Sequence, residues 1–308
     1  MKNAFAFKTL AEFLEHFKDE ETCREHFTAI RFANGEYCPH CGHAKIHKFS
    51  DGKRYRCASC KQDFRIQTGT VFGESKLPLK KWFIAIYLLS TSNKGISSVQ
   101  LAKQVGVTQK TGWFMDHRIR SAMKQNKGQL FGTIECDETY VGGKEGNKHK
   151  DKKNKTSRGR NAQTKKPVFG MRSRDGEVRA MAVPNCKEKL IMGIIQENVA
   201  QGTTVHTDEM LSYRNLPLAG FSHFTIRHGL REYARGECHT NSIESFWALF
   251  KRGYHGIYHW MSPKHMQRYV DESVFRVNRR EEPMNSIFAE LVANMAKGQQ
   301  LPYKELTA

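Results

Sequence analysis

Three acidic residues from separate parts of the sequence could together hold divalent cations. Asp137 lies in TIECDETYVGGK, where strand alternation places it on one face with Glu135 and puts Glu138 on the other. Asp208 follows the short apolar strand TVHT, and Glu244 lies on the helix NSIESFWALFKR. Two strand aspartates and a helix glutamate supply the hard oxygen ligands of a two-Mg²⁺ site for in-line displacement at phosphorus. The predicted catalytic and magnesium-binding residues are therefore Asp137, Asp208 and Glu244.

Each acid alone also has an ordinary explanation. Asp208 could cap a following helix, Glu244 could pair in solvent with Lys251, and Asp137 could be a charge at a strand end. A turn of 100° per residue, however, puts Asn241, Glu244 and Lys251 on one stripe beside the apolar stripe that should face the sheet. Glu244 could then reach past the sheet toward both aspartates. The joint placement favours a shared site over three unrelated charges.

Four cysteines with the spacing C-x2-C-x15-C-x2-C form a second candidate site. Cys38, Cys41, Cys57 and Cys60 make two close thiol pairs that strand pairing can bring together as a tetrahedral site for one structural Zn²⁺. The alternative is four free thiols with accidental spacing. Three nearby histidines are expected to lie on the surface rather than to bind metal: His40, His43 and His47. The basic residues around the cysteines fit DNA contact, although such a ribbon could equally dock a protein.

The charge balance points to a polyanionic partner. The chain has 308 residues, with 50 Lys and Arg against 31 Asp and Glu, for a formal net charge of +19. Double-stranded DNA is the expected partner, and an anionic membrane surface is the competing interpretation. The longest apolar run, residues 82–89, is too short to cross a bilayer. We expect no membrane association, no export signal and a cytoplasmic location.

The positions of these residues predict how the chain is organised. A helical lead-in covers residues 1–35, a zinc ribbon 36–74 and a unit of three helices 75–127. An α/β domain with a mixed sheet and flanking helices follows over 128–285, because a strand and an Asp-Gly hairpin precede alternating helices and strands. Residues 286–308 are expected to be a C-terminal tail.

Within the three helices, the pattern is typical of a helix-turn-helix. The first helix of the pair ends at Gly106, and Thr108 can cap the next one. Lys110 and Arg118 then lie on the outer face, where they could contact DNA in the major groove. Ordinary packing of three helices is the alternative.

A strongly basic stretch follows Asp137. Residues 144–166 contain ten Lys or Arg against two acids, so we expect a solvated, mobile loop that clamps DNA beside the carboxylates. Its predicted DNA-binding residues are Lys144, Lys152, Lys153, Arg158 and Arg160. Lys251 and Arg252, on the helix that carries Glu244, are expected to bind DNA as well.

The combined motifs resemble a known family. Thirty-five residues separate Asp208 from Glu244, and Lys251 follows after six more, which is similar to the acidic signature of DDE transposases and retroviral integrases. CPHCG with CASC, DETYVGGK and HTDEMLSY look like a bacterial insertion-sequence transposase with a zinc ribbon. The resemblance implies a ribonuclease H-like catalytic domain, cleavage at transposon ends with Mg²⁺ or Mn²⁺, and joining of the 3′ hydroxyl to target DNA. It also implies a homodimer or larger synaptic complex in the prokaryotic nucleoid.

Carried over by position, the resemblance makes Asp137, Asp208 and Glu244 the metal-binding triad and puts Lys251 near the scissile phosphate. Asn241, one turn before Glu244, could supply an additional ligand or hydrogen bond. Two other functions fit the same features. One is a zinc-ribbon, helix-turn-helix regulator without catalysis, and the other is a structure-selective nuclease that cuts without joining.

Overall fold

The computed structural model describes residues 7–125, 128–143, 149, 151, 165–227 and 234–307. The chain forms two compact units. One unit combines Met1–Met123 with Glu281–Ala308, and the other is Lys124–Arg280. The second unit is therefore an insertion in the sequence of the first. No helix in the described part of the chain combines the length and the apolar character needed to cross a bilayer.

The elements are numbered in chain order. The helices are α1 Leu10–His16, α2 Glu20–Arg31, α3 Leu79–Thr91, α4 Ser98–Val105, α5 Gln109–Arg120, α6 Glu188–Asn198, α7 Asn241–Gly253, α8 Met266–Asn278, α9 Met284–Lys297 and α10 Tyr303–Thr307. The strands are β1 Ile46–Lys48, β2 Arg54–Cys57, β3 Asp63–Arg65, β4 Thr133–Val141, β5 Lys166–Ser173, β6 Val178–Ala182, β7 Thr204–Thr207 and β8 Ser222–Thr225.

The predicted pair of helices is present as α4 and α5. Gly106 ends α4 in the left-handed conformation, at φ 69°, and the Thr108 hydroxyl accepts a hydrogen bond from the Thr111 N–H at 3.3 Å. Gly112 brings the two helices together, because a Cβ at this position would lie 2.8 Å from the Ser98 carbonyl oxygen. A turn of three residues between two closely packed helices is the predicted helix-turn-helix-like arrangement.

Residues after Met284 differ from the predicted C-terminal tail. They form α9, whose Phe288, Leu291, Val292 and Met295 are fully buried. The Phe288 ring packs against α1 and α3, with its centroid 5.5 Å from that of Phe13. The prediction was wrong because α9 has few charges and no partner nearby in sequence. Its apolar face packs against α1 and α3, whose contacting rings lie more than 200 residues earlier in the sequence.

We expect Phe288→Ala to destabilise the first unit by about 3–5 kcal/mol, since the truncation leaves a cavity among several aromatic rings. Urea unfolding of the full-length protein measures the loss. Leu14→Ala is the matched control, because Leu14 is 41% exposed on α1 and should change the free energy of unfolding by less than about 0.5 kcal/mol. Equal effects of the two substitutions would contradict the role given to α9.

The second unit contains the predicted mixed sheet. Its strand order is β6-β5-β4-β7-β8, with antiparallel pairing among β6, β5 and β4 and parallel pairing among β4, β7 and β8. One face of the sheet packs on α6, and the other packs on α7 and α8. Gly170 on β5 permits the close approach of α7, since a Cβ there would lie 2.5 Å from the Trp247 ring. The arrangement is consistent with a ribonuclease H-like fold.

Helix α6 ends earlier than its pattern suggests. The sequence favours continuation to Gly202, but the helix stops at Asn198 and Val199 is extended. The Leu130 N–H donates to the Asn198 carbonyl at 2.7 Å, and the Leu130 carbonyl accepts from the Ala200 N–H at 2.8 Å. These hydrogen bonds replace a further turn of helix and lead the chain directly into β7.

Candidate functional site

The parallel pairing of β4 with β7 brings Asp137 and Asp208 together. The register pairs Glu135 with His206, so the positions two residues further on meet just beyond the end of β7 at Thr207. Here Asp137, Glu138 and Asp208 are half-buried, and their carboxylate oxygens lie within 4.8 Å of one another. Three acids around one point offer a set of hard oxygen ligands suited to a divalent cation.

Glu138 belongs to this cluster although its strand position points it to the opposite face from Asp137. Its carboxylate accepts a hydrogen bond from the Tyr213 hydroxyl at 2.9 Å, and Tyr213 packs in the same buried cluster as Cys136. The expected alternation therefore holds. Both side chains still meet because the pairing of β4 with β7 ends at Glu135 and His206, and Asp208 beyond that end brings its carboxylate near both acids. In the sequence, the two adjacent acids Asp137 and Glu138 are the signal that could have identified Glu138.

The cluster is electrostatically strained without a cation. Burial, together with the charges of Glu138 and Asp208 and a smaller contribution from Glu244, raises the pKa of Asp137 to about 7. One Asp208 oxygen accepts a hydrogen bond from the Met210 N–H at 3.0 Å. Met210 is the N-cap of the short 3-10 helix Leu211–Tyr213 that follows, so Asp208 does not cap that helix. A carboxyl that holds its proton near neutral pH because of burial and neighbouring acids fits a cation-binding site.

Glu244 faces the cluster without joining it. It lies in the first turn of α7, is exposed, and accepts a hydrogen bond from the Thr240 hydroxyl at 3.1 Å. The negative charge of Glu244 contributes to the raised pKa of Asp137. Asn241, the first residue of α7, is also exposed, as are Lys251 and Arg252 two turns later. All four lie on the helix that the sequence assigned to the site.

Glu135 fixes the position of α7. Its side chain is fully buried and accepts hydrogen bonds from the backbone N–H groups of Ser242 at 2.8 Å and Ile243 at 3.0 Å. Arg172 adds a hydrogen bond to the Ser242 carbonyl at 2.6 Å. Thr240, the residue in the cap position, does not cap α7 with its own side chain. A carboxylate from the sheet therefore satisfies the first turn of the helix, where negative charge is favoured.

We expect Glu135→Ala to cost about 2–4 kcal/mol of stability, because it leaves two buried N–H groups without their acceptor. Glu135→Gln keeps an acceptor oxygen and should cost about half as much. Urea unfolding of the full-length protein compares the two with Glu197→Ala, an exposed acid near the end of α6. If Gln were as damaging as Ala, the charge rather than the cap would hold α7.

The predicted DNA-binding residues differ in their exposure to solvent. Lys110 is exposed in the first turn of α5, with its ammonium group 4.9 Å from the centre of the Tyr303 ring. Arg118 is only 2% exposed, and its guanidinium donates to the carbonyls of Leu301 at 3.0 Å and Gly73 at 3.1 Å. Its assignment to the outer face was wrong, because the second half of α5 is buried. The predicted loop residues lie outside the described part of the chain: Lys144, Lys152, Lys153, Arg158 and Arg160.

The four predicted zinc ligands converge in the first unit. Strands β1, β2 and β3 form an antiparallel sheet, and the sulfurs of Cys38, Cys41, Cys57 and Cys60 all lie within 4.8 Å of one another. The Cys38–Cys60 and Cys41–Cys57 sulfurs are 3.7 and 3.6 Å apart. Zn–S bonds of about 2.3 Å give tetrahedral edges of about 3.8 Å, so the cluster fits Zn²⁺. The three nearby histidines are exposed, as predicted: His40, His43 and His47.

Two arginines of this ribbon have acidic partners. Arg54 lies 2.8 Å from Asp51 and Arg56 lies 2.7 Å from Asp63. The hydrogen bond from Arg54 is the main cause that lowers the pKa of Asp51 to about 2. Part of the ribbon's positive charge is therefore compensated locally.

Comparisons with known proteins match this chain to transposases. Residues 129–278 match the family model of the ISXO2-like transposase domain, and residues 18–63 match a transposase zinc-ribbon domain. An uncharacterized protein in transposable element ISH50 of Halobacterium salinarum is 31% identical over 263 residues, covering 81% of this chain and 86% of the relative. An uncharacterized transposase-like protein of Haemophilus influenzae is 32% identical over 117 residues, covering 38% of this chain and 94% of the relative.

Among solved structures, a simian T-cell lymphotropic virus intasome in complex with PP2A regulatory subunit B56 gamma shares 11% identity. The match covers 71% of this chain and 69% of that chain, at a TM-score of 0.24. A likeness this low carries no argument about the site or its assembly.

Proposed function

Because the chain belongs to the ISXO2-like family of transposases, we propose that it cuts DNA at transposon ends and joins the freed 3′ hydroxyl to target DNA. The observation that carries the proposal is the meeting of Asp137, Glu138 and Asp208 beyond the end of β7. Such a cluster has little use in a protein that only binds DNA, since it repels phosphate unless cations neutralise it.

Asp137 and Asp208 are the proposed shared metal ligands, with Glu244 as the third member of the triad. Glu138 is an additional ligand candidate because it is already in the cluster, and Asn241 remains a candidate at the start of α7. Bound Mg²⁺ or Mn²⁺, two ions per site, would activate the attacking oxygen and stabilise the leaving one. The protein's own contribution is to hold these carboxylates on a rigid sheet, with Glu135 fixing the helix that presents Glu244.

The basic side chains are proposed to hold DNA over the acids. Lys251 and Arg252 lie on the same helix as Glu244, and the net charge of +19 attracts the phosphate backbone. Lys110 and the first turn of α5 are exposed for contact with terminal-repeat DNA, together with the zinc ribbon. We assign end binding to residues 36–127 and catalysis to residues 128–285. A homodimer or larger complex would bring two transposon ends together.

The test uses full-length, zinc-loaded protein with Mg²⁺, labelled DNA carrying the inverted repeats that bracket the coding region, and a target plasmid. Nicked ends and joined products are expected. Nicking without joining would indicate a structure-selective nuclease, and binding without nicking would indicate a regulator. Either result would overturn the proposal. Asp175→Asn, which removes an exposed acid in the β5–β6 turn, should leave both products unchanged.

A further inference from the structure

The exposed segment after α7 is not explained by the metal site. Residues 254–265, between α7 and α8, contain one Lys, three His and no acidic residue, and Lys251 and Arg252 lie directly before them in α7. Trp260, within this segment, is 61% exposed. An exposed aromatic ring beside cationic side chains offers a stacking face of the kind that binds unpaired nucleic-acid bases.

The backbone presents Trp260 outward. After α7 the chain makes a single π-helical turn, Tyr254–Tyr258, and then a γ-turn centred on His259. His259 has φ 56° and ψ −31°, and the Trp260 N–H donates to the Tyr258 carbonyl at 2.6 Å. A γ-turn with positive φ is rare and strained, especially at a residue other than glycine. Such strain persists only where the surrounding structure fixes it.

Buried residues on both sides fix this turn. Tyr254 is 5% exposed and Met261 is 2% exposed, and both pack in the core between the sheet and helices α7 and α8. The Tyr258 hydroxyl donates to Glu272 on α8 at 2.8 Å. The chain therefore leaves the core, exposes His255, His259 and Trp260, and re-enters the core one residue later. The buried residues on both sides therefore hold the Trp260 ring at the surface.

An exposed stripe of α7 connects the tryptophan to the carboxylates. At 100° per residue, Glu244, Ala248 and Lys251 lie within about 60° of one another, and all three are exposed. His255 continues the exposed segment in the π-helical turn. From Glu244 to Lys251 the rise along α7 is about 10 Å.

We propose that Trp260 stacks on an unpaired base of a DNA strand whose phosphates lie along α7. Cationic side chains hold the backbone, and the indole face takes the place of the neighbouring base. A base inside an intact duplex has both faces covered, so this subsite selects a melted or flipped nucleotide. The inference rests on the proposed function only in taking DNA as the substrate.

The test measures tryptophan fluorescence and binding without added Mg²⁺, with a 20-nucleotide oligo-dT and a blunt 20-base-pair duplex as probes. Oligo-dT should quench the wild type. Trp260→Ala should abolish most of the quenching and weaken oligo-dT binding roughly 5- to 100-fold, while duplex affinity changes by less than about 3-fold. Trp260→Phe should retain most of the affinity. Phe131→Ala, which removes another exposed ring of the same unit, should bind like wild type.

Three results would overturn the inference: no oligo-dT binding by the wild type, no effect of Trp260→Ala, or an equal loss of both probes. A change in oligomeric mass of Trp260→Ala without DNA would also overturn it, by assigning the ring to a protein interface. Measuring oligo-dT binding without Mg²⁺ separates this inference from the proposed function, because the binding does not depend on cleavage and can succeed or fail whether or not the wild type cuts DNA.

Discussion

Asp137→Asn is expected to lower Mg²⁺-dependent DNA cleavage by at least about 10³-fold, because it removes the proposed shared metal ligand of the acidic cluster. A loss of this size corresponds to about 4 kcal/mol of transition-state stabilisation, within what bound cations supply in such reactions. Single-turnover cleavage of labelled end DNA measures it. Asp208→Asn should lose as much, whereas Asp175→Asn should cleave normally.

Asp137→Asn should stabilise the protein at pH 8 when no Mg²⁺ is added. Asp137 has its pKa raised from 3.8 to about 7 in the folded state. The stability that comes from its protonated form is fully present below pH 4 and is lost as the pH rises through 7. An asparagine at this position does not ionise, so the variant does not lose this stability as the pH rises. Thermal unfolding should therefore show a higher midpoint for the variant at pH 8 and similar midpoints at pH 4.

Mg²⁺ affinity should rise over the same pH range in which the metal-free protein loses stability. A cation must displace the proton of Asp137, so Mg²⁺ affinity should fall as the pH drops below 7. A variant without activity that was also less stable at pH 8 would indicate a structural role for Asp137 instead. Unchanged activity would remove Asp137 from the site altogether.

Glu138 and Glu244 compete for the third position, and paired variants distinguish them. If Glu244 is the third ligand, Glu244→Gln should match the loss of Asp137→Asn even at high Mg²⁺. Glu138→Gln keeps an acceptor for the Tyr213 hydroxyl and should be rescued largely by more Mg²⁺. The reverse pattern would transfer the role to Glu138, which the structure already places beside both aspartates.

Removing zinc is expected to have the largest effect on folding. Structural Zn²⁺ sites contribute about 10–16 kcal/mol of apparent binding free energy at neutral pH, and the β1–β3 sheet is too small to replace it. The purified protein should contain one zinc ion. Chelation should unfold the ribbon and abolish its contribution to end binding.

Cys41→Ser tests the site with little disturbance of packing, because Cys41 is exposed. We expect this variant to lose its zinc, measured by metal analysis, and to show chelator-like unfolding of the ribbon by NMR. Cys186→Ser is the matched control, since Cys186 lies outside the four-sulfur cluster and should keep one zinc per chain. One zinc retained in Cys41→Ser would contradict the four-cysteine site.

The sequence by itself determined the features that depend on short spacing or strict periodicity. Two C-x2-C pairs can converge only within a compact ribbon, and a period of two in TIECDETYV predicts the strand on which Asp137 lies. Gly106 and Thr108 end one helix and begin the next through local backbone geometry and capping. These features are readable because the partners are within a few residues or because the metal accepts few ligand types.

Only the tertiary structure decided the features that depend on distant partners. Arg118 looks like an exposed cation on a helical wheel, but carbonyls of Gly73 and Leu301 bind it inside the first unit. Phe288 needs helices from the other end of the chain to become core. Asp208 meets Asp137 and Glu138 just beyond the pairing of β4 with β7, and Glu135 caps a helix that begins more than a hundred residues later. Periodicity gives the face of an element, but contacts between distant segments determine what covers that face.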